Sequence, residues 1–188
     1  AAVEPARALR EAIAATAAGL PIRPIAGTAE ATGLPGGRCS LVIVADALHW
    51  VDPDRAGREA ARLLAPGGSA VAIEPRLDET PFLAALQDRI VRSNPKARRR
   101  PATARARQLL ALAVPGAPQV ELVYRQAVRL DAAGLEAVLR SLSFVGPALG
   151  PAALRRLLDE AAGLAVLHGG AVWARTIRLF GAGPAFAA

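Results

Sequence analysis

Residues 39–74 read CSLVIVADALHWVDPDRAGREAARLLAPGGSAVAIE. Leu41 to Ala45 is an unbroken apolar run, too short for a helix and rich in β-branched residues. Such a run predicts a strand covered on both faces, as parallel sheets contain. Asp52 then stands as a helix N-cap, with Pro53 at the first helical position, where its missing N–H costs nothing. Ala56, Ala60, Leu63 and Leu64 recur at helical spacing and give that helix one core-facing stripe. Pro66-Gly67-Gly68 is a stop signal. Ala70 to Ile73 predicts a second short apolar strand. Strand, helix and strand over this length make a βαβ unit with a right-handed crossover. The chain therefore reads as α/β.

Composition agrees. The 188 residues suit one domain with a real core, and 53% hydrophobic residues exclude a disordered chain. No apolar run approaches the roughly 18–20 residues that span a bilayer. The N-terminus lacks a basic region followed by an apolar core, so no signal peptide is read there. The lone Cys39 allows no internal disulfide and fits a reducing cytoplasm. Net charge is +7, and Lys96 is the single lysine among the 23 basic residues. The chain contains no methionine, so it is read as a processed chain or a fragment.

In chain order, Ala1 to Pro5 looks like the end of a strand closing on an acid. Ala6 to Ala18 predicts a helix with Ala8, Leu9, Ala12 and Ile13 on one face. Gly19 caps it, and Pro21 to Ala26 is a short strand weakened by its prolines. Residues 27–37 (GTAEATGLPGG) are a loop by composition. Beyond Glu74, Thr80 to Ser93 predicts a helix with Phe82, Ala85, Leu86 and Ile90 inward, ended by Asn94-Pro95. Residues 96–107 (KARRRPATARAR) form the most basic run. Gln108 to Val114 is a further helical segment. Alternation over Glu121 to Leu130 predicts a half-buried strand. Asp131 caps a helix reaching Ser141, Pro151 to Leu164 forms another, and Ala171 to Phe180 is a final strand, expected to run antiparallel to the one before it.

The functional signal lies in polar residues just past the strand ends. Glu4 follows the first strand, Thr28 and Glu30 the second, Asp46 and His49 the third, and Glu74 the fourth. In an open parallel sheet these positions share the edge where ligands bind. An acid ending the second strand of such a sheet, about 20 residues after a glycine-rich loop, is the ribose position of a nucleotide-type cofactor. Glu4 occupies that place, although the loop itself would lie before residue 1. On this reading Glu4, Thr28, Asp46 and His49 line one cleft.

VEP at 3–5 followed by a helix, GTAEATGLP at 27–35, LVIVADALHW at 41–50 and RLLAPGG at 62–68 resemble the class I S-adenosylmethionine-dependent methyltransferases, in the small-molecule subgroup called type 11. The tail SLSFVGPALGPAALRRLLDEA at 141–161 is similar to that subgroup's C-terminal half. The resemblance covers nearly the whole chain. It implies a Rossmann-like, mostly parallel sheet with helices on both faces and an antiparallel C-terminal strand pair, seven strands in all. It further implies S-adenosylmethionine as cofactor, a small-molecule methyl acceptor, Glu4 on the ribose hydroxyls, Thr28 and Ala29 flanking the adenine, and Ala45 and Asp46 near the methionine moiety. Residues 1–188 then form a single, N-terminally incomplete domain, with 80–114 as a helical lid whose segment 96–107 is mobile and gates the acceptor.

Two departures stand out. The family usually has an acid where Thr28 stands, and a threonine hydroxyl accepts without charge assistance. The glycine-rich loop and the central first strand are missing. The chain as given is therefore expected to bind the cofactor poorly and not to catalyse methyl transfer. It would be either an association-prone monomer or a sheet closed by direct pairing of the Val3 and Leu41–Ala45 strands.

Each candidate also has a plainer reading. Glu4 suits a solvated carboxylate at a chain end. His49 suits a general base, since an imidazole's ordinary pKa of about 6.5 matches proton removal from an acceptor hydroxyl, yet it equally suits a hydrogen-bonded turn residue. Trp50 reads as packing or as a substrate platform, and Asp52 as a helix cap. The alternative to an enzyme is a non-catalytic α/β module that uses its arginines on RNA or another acidic partner. Against nucleic acid, the basic run lacks the interleaved aromatics that stack bases. A nicotinamide-linked dehydrogenase is a third reading, because Glu4 alone would serve ribose there too. No membrane is implied, and the sequence leaves the oligomeric state open.

Overall fold

The computed structural model describes residues 1–97 and 103–187. Ala2–Val3 (β1) and Pro24–Ile25 (β2) pair in parallel as a two-stranded sheet, with the helix Arg7–Thr16 (α1) between them in sequence. Cys39–Ala45 (β3), Pro53–Leu63 (α2) and Leu64–Leu77 (β4) follow, and β3 and β4 are parallel. Then come Pro81–Ser93 (α3), Thr103–Ala113 (α4), Gln119–Leu130 (β5), Ala132–Ser141 (α5), Pro151–Leu167 (α6) and Ala171–Ala182 (β6). The second sheet has the order β3-β4-β6-β5. The architecture is α/β, as the sequence predicts, with six strands among the described residues.

The helix starts follow from local chemistry. Asp52 accepts from the N–H groups of Asp54 and Arg55 at 3.0 and 3.1 Å, and Pro53 opens α2. Thr80 accepts from Leu83 at 3.2 Å ahead of Pro81, and Asp131 accepts from Gly134 at 2.7 Å ahead of α5. Pro66-Gly67-Gly68 behaves otherwise than predicted. The helix already ends at Leu63, and these residues lie inside β4. The register jumps there, from Cys39 opposite Leu64 to Leu41 opposite Ser69, and Gly67 takes a φ of +75°. The Pro-Gly-Gly segment is thus a bulge within the strand, at a backbone angle that glycine adopts without a Cβ clash.

The described residues fall into two compact units. One comprises Ala1–Glu74, 103–122 and 178–187. Its core gathers Leu48, Val51, Ala56, Ala60, Leu109, Leu110 and Phe180. Here α2 lies so close to α4 that a Cβ on Gly57 would stand 2.7 Å from Leu112 Cβ and 2.8 Å from the Leu109 carbonyl oxygen. The other unit comprises 75–97 and Val123–Ile177, with a core of Phe82, Leu86, Ile90, Leu139, Val145, Leu157 and Ala161.

Three expectations need correction. Helix α1 buries none of its residues, and Leu9 on its apolar stripe is 55% exposed. Strand β5 is an edge strand with 121–129 exposed on both faces, not half-buried. Val3 and the β3 strand do not pair directly, since β1 and β3 belong to different sheets.

Candidate functional site

The loop between β3 and α2 is pinned from below. Leu48 and Val51 are buried in the unit core, while His49 and Trp50 between them are exposed, Trp50 to 74%. The two rings lie 5.0 Å apart at 46°. Asp46 opens the loop with a φ of +46°, the one non-glycine positive φ among the described residues, and its N–H donates to Ile73 at 2.9 Å. An aspartate tolerates this left-handed backbone better than most residues, and such outliers cluster at functional sites.

The loop after β2 is fastened to this one. Thr28 and Ala31 exchange backbone hydrogen bonds of 3.1 and 3.2 Å, which makes 28–31 a tight turn. Gly27 before it would put a Cβ only 3.0 Å from the Thr32 carbonyl oxygen and 3.1 Å from Val3 Cγ1, so the turn sits against the end of β1. Within the turn, Glu30 accepts from the Asp52 N–H at 2.9 Å, and Ala29 packs against the unit core. Burial pushes the Glu30 carboxyl up. The Asp52 N–H, its own N–H and the Thr28 hydroxyl, together with the Arg55 charge, outweigh that and hold it below the ordinary range.

A second brace lies behind the turn. Glu59 on α2 accepts from the Thr32 N–H at 3.0 Å and from the Thr32 hydroxyl at 2.5 Å, and pairs with Arg62 at 2.7 Å. Arg62 also donates to the Leu34 carbonyl at 2.8 Å. The Arg62 hydrogen bonds, against opposing burial and with help from Thr32, hold the Glu59 carboxyl down at about 2.

Glu4 lies at the end of β1, half-buried, its N–H donating to Ile25 at 3.0 Å. One carboxylate oxygen accepts from the Ala6 N–H at 2.8 Å, so the side chain also shapes the entry to α1. Glu4 and Thr28 thus follow the two strands of one parallel pair, and Ala45 and Asp46 close β3, which pairs in parallel with β4. The link that joins these two strand-end groups is Glu30 to Asp52. Glu74 is partly buried in β4 and accepts from Thr103 at 3.1 Å.

Sequence reasoning placed Glu30 on the edge without its partner, and missed Glu59 and Arg105. Arg105, in the basic run, donates to the carbonyls of Leu48 and Val51. Its neighbour Arg107 pairs with Glu121 at 2.8 Å and lies 5.4 Å over the Phe180 ring. These arginines are engaged within the chain, which weighs against the RNA-binding alternative. The remainder of that run, 98–102, lies outside the described residues.

A family model described as a methyltransferase domain matches residues 1–72. An uncharacterized methyltransferase of Mycobacterium tuberculosis is 55% identical over 42 residues, which is 22% of this chain and 17% of that protein. The matched stretch therefore spans about a sixth of the curated relative's length. Among solved structures, one from Bacillus halodurans, described as a methyltransferase, is similar with a TM-score of 0.56 and 13% identity, covering 96% of this chain and 80% of that one. A SAM-dependent methyltransferase of Thermotoga maritima aligns with a TM-score of 0.50, 19% identity, and 97% and 72% coverage. The [4+2]-cyclase SpnF aligns with a TM-score of 0.53, 18% identity, and 97% and 65% coverage. These structural likenesses show the fold. Residues 1–72 thus match a methyltransferase-domain model, and the chain shares the α/β fold of these methyltransferase structures.

Proposed function

We propose that this methyltransferase domain uses S-adenosylmethionine to methylate a small-molecule acceptor. The cofactor would lie along the edge made by Glu4, Thr28, Ala29, Ala45 and Asp46. The observation that carries the reading is the Glu30–Asp52 hydrogen bond, which fastens the turn bearing Thr28 and Ala29 to the loop bearing His49. Because the same fold occurs in a protein described as a [4+2]-cyclase, fold alone does not select the reaction. The side chains at the edge do more.

The donor set fits the cofactor's chemistry. Two carboxylates, Glu4 and Asp46, suit ribose hydroxyls and a cationic amino-acid moiety, and the Thr28 hydroxyl accepts from an amine. When bound, S-adenosylmethionine supplies an electrophilic methyl group on its sulfonium. The chain's part is orientation, which alone lowers such a barrier substantially. His49, exposed beside Trp50, takes the proton from the acceptor's attacking group, and Trp50 offers a flat face to the acceptor.

No helix among the described residues is long and apolar enough to cross a membrane. Together with the single thiol of Cys39, this supports assignment to a reducing cytoplasm. Photolabelling with radiolabelled S-adenosylmethionine at millimolar concentration tests the site. Label in the tryptic peptide 39–55 is the expected result, and label confined to 123–177 would refute it.

A further inference from the structure

We infer that Arg105 is a positioning residue for the β3–α2 loop, and that the first turns of α4 set that loop's shape. The inference rests on the proposed role of the loop, but its geometry stands separately. One guanidinium nitrogen, Nη1, lies 3.1 Å from the Leu48 carbonyl oxygen and 3.0 Å from that of Val51. These two carbonyls bracket His49 and Trp50. The side chains of the same two residues are buried, so the loop is pinned inward at both ends by apolar groups. Between the pins the chain has to bulge, and Trp50 closes the bulge by donating its N–H to Ala47 at 2.9 Å. Without a donor, both carbonyls would be left to solvent. Arg105 supplies a charged donor to each from one nitrogen, and such hydrogen bonds are stronger than neutral ones.

Arg105 does not act alone on α4. Thr103 donates to Glu74 at 3.1 Å, and Gln108 donates to Asp54 at 2.8 Å. Residues 103, 105 and 108 therefore hold three points: the end of β4, the β3–α2 loop, and the first turn of α2. Ala106, Leu109 and Leu110 of the same helix are buried. That packing, with the close approach at Gly57, keeps α4 on α2 whether or not Arg105 is present. The guanidinium is thus free to serve the loop rather than the fold. Lysine also carries its donors on one nitrogen, but as a strongly hydrated point charge on a flexible stem it should replace the guanidinium only in part.

The test compares Arg105→Gln and Arg105→Lys with Gln108→Ala in the full chain, by amide hydrogen exchange and by the His49 ring resonances. Arg105→Gln should speed exchange at the Trp50 and Asp52 amides by about tenfold, the size expected on losing hydrogen bonds to a charged donor. The His49 signals should move as well, while amides of α2 and the melting temperature stay put. Arg105→Lys should recover part of the change, and Gln108→Ala should leave His49 unmoved. Unchanged Trp50 exchange in Arg105→Gln would overturn the proposal, as would equal loosening of α2. If Arg105→Gln does not fold, Arg105→Met, which keeps the stem and removes the donors, decides: wild-type exchange at Trp50 together with wild-type His49 signals would overturn it. None of these readouts requires cofactor, so failure of the methyltransferase reading is told apart by photolabelling alone.

Discussion

The Glu30 carboxylate accepts the Asp52 N–H at 2.9 Å, across 22 residues of sequence, and Asp52 is in turn the side chain that caps α2. One residue is therefore tied to both the turn after β2 and the start of the next helix. Glu30→Ala removes the acceptor and leaves that N–H to water. It should cost about 1 kcal/mol in denaturant unfolding, the usual net worth of such a bond, and should raise exchange at Thr28 to Ala31. Unchanged stability and exchange would show that the two loops hold their places without it.

Glu59 gives a pH signature. Its carboxyl titrates at about 2 in the folded chain against 4.5 ordinarily. A depressed folded value means that the stabilisation is fully present above pH 4.5 and is lost as pH falls from there toward 2. Glu59→Gln should flatten that part of the acid limb and lower stability at pH 7. An acid limb identical in wild type and variant would contradict the Thr32–Glu59–Arg62 brace.

Gly57→Ala sets two effects against each other. In an exposed helix, alanine would gain about 1 kcal/mol over glycine. At this site the new methyl would meet the Leu109 carbonyl oxygen at 2.8 Å, which is backbone and cannot swing aside. The clash should win, giving net destabilisation and faster exchange in α4. A more stable Gly57→Ala would show that α2 and α4 can part at no cost.

Asp46 separates stability from binding. Asp46→Gly relaxes the left-handed backbone and should hold or raise stability by up to about 1 kcal/mol, while weakening the binding of S-adenosylhomocysteine. Asp46→Val places a β-branched residue at a φ of +46° and should destabilise. Full binding by Asp46→Gly would remove Asp46 from the cofactor edge.

What was legible in the sequence was local. The apolar run, the Asp52-Pro53 start and the Ala56, Ala60, Leu63 stripe each act over a few residues, and β3, α2 and β4 follow from them. Strand β5 shows the limit. Its alternation separates two faces but does not say whether anything covers them, and residues 121–129 are exposed. Helix α1 has the same problem with Leu9 and Ile13. The strand-end position of Glu30 was readable, whereas its partner 22 residues away was not, because that pairing depends on how two loops fold back. Arg105 was hidden by its neighbours, since a dense basic run reads as one solvated face while each guanidinium has its own partners.

The central claim is that Glu4, the Thr28 turn and the Asp46–His49 loop form one cofactor edge. Amide-resolved NMR titration of the chain with S-adenosylhomocysteine tests it most directly. The account predicts saturable shifts concentrated at Glu4, Thr28, Ala29, Ala45, Asp46 and His49. Shifts gathered within residues 123–177, or none at millimolar ligand, would contradict it.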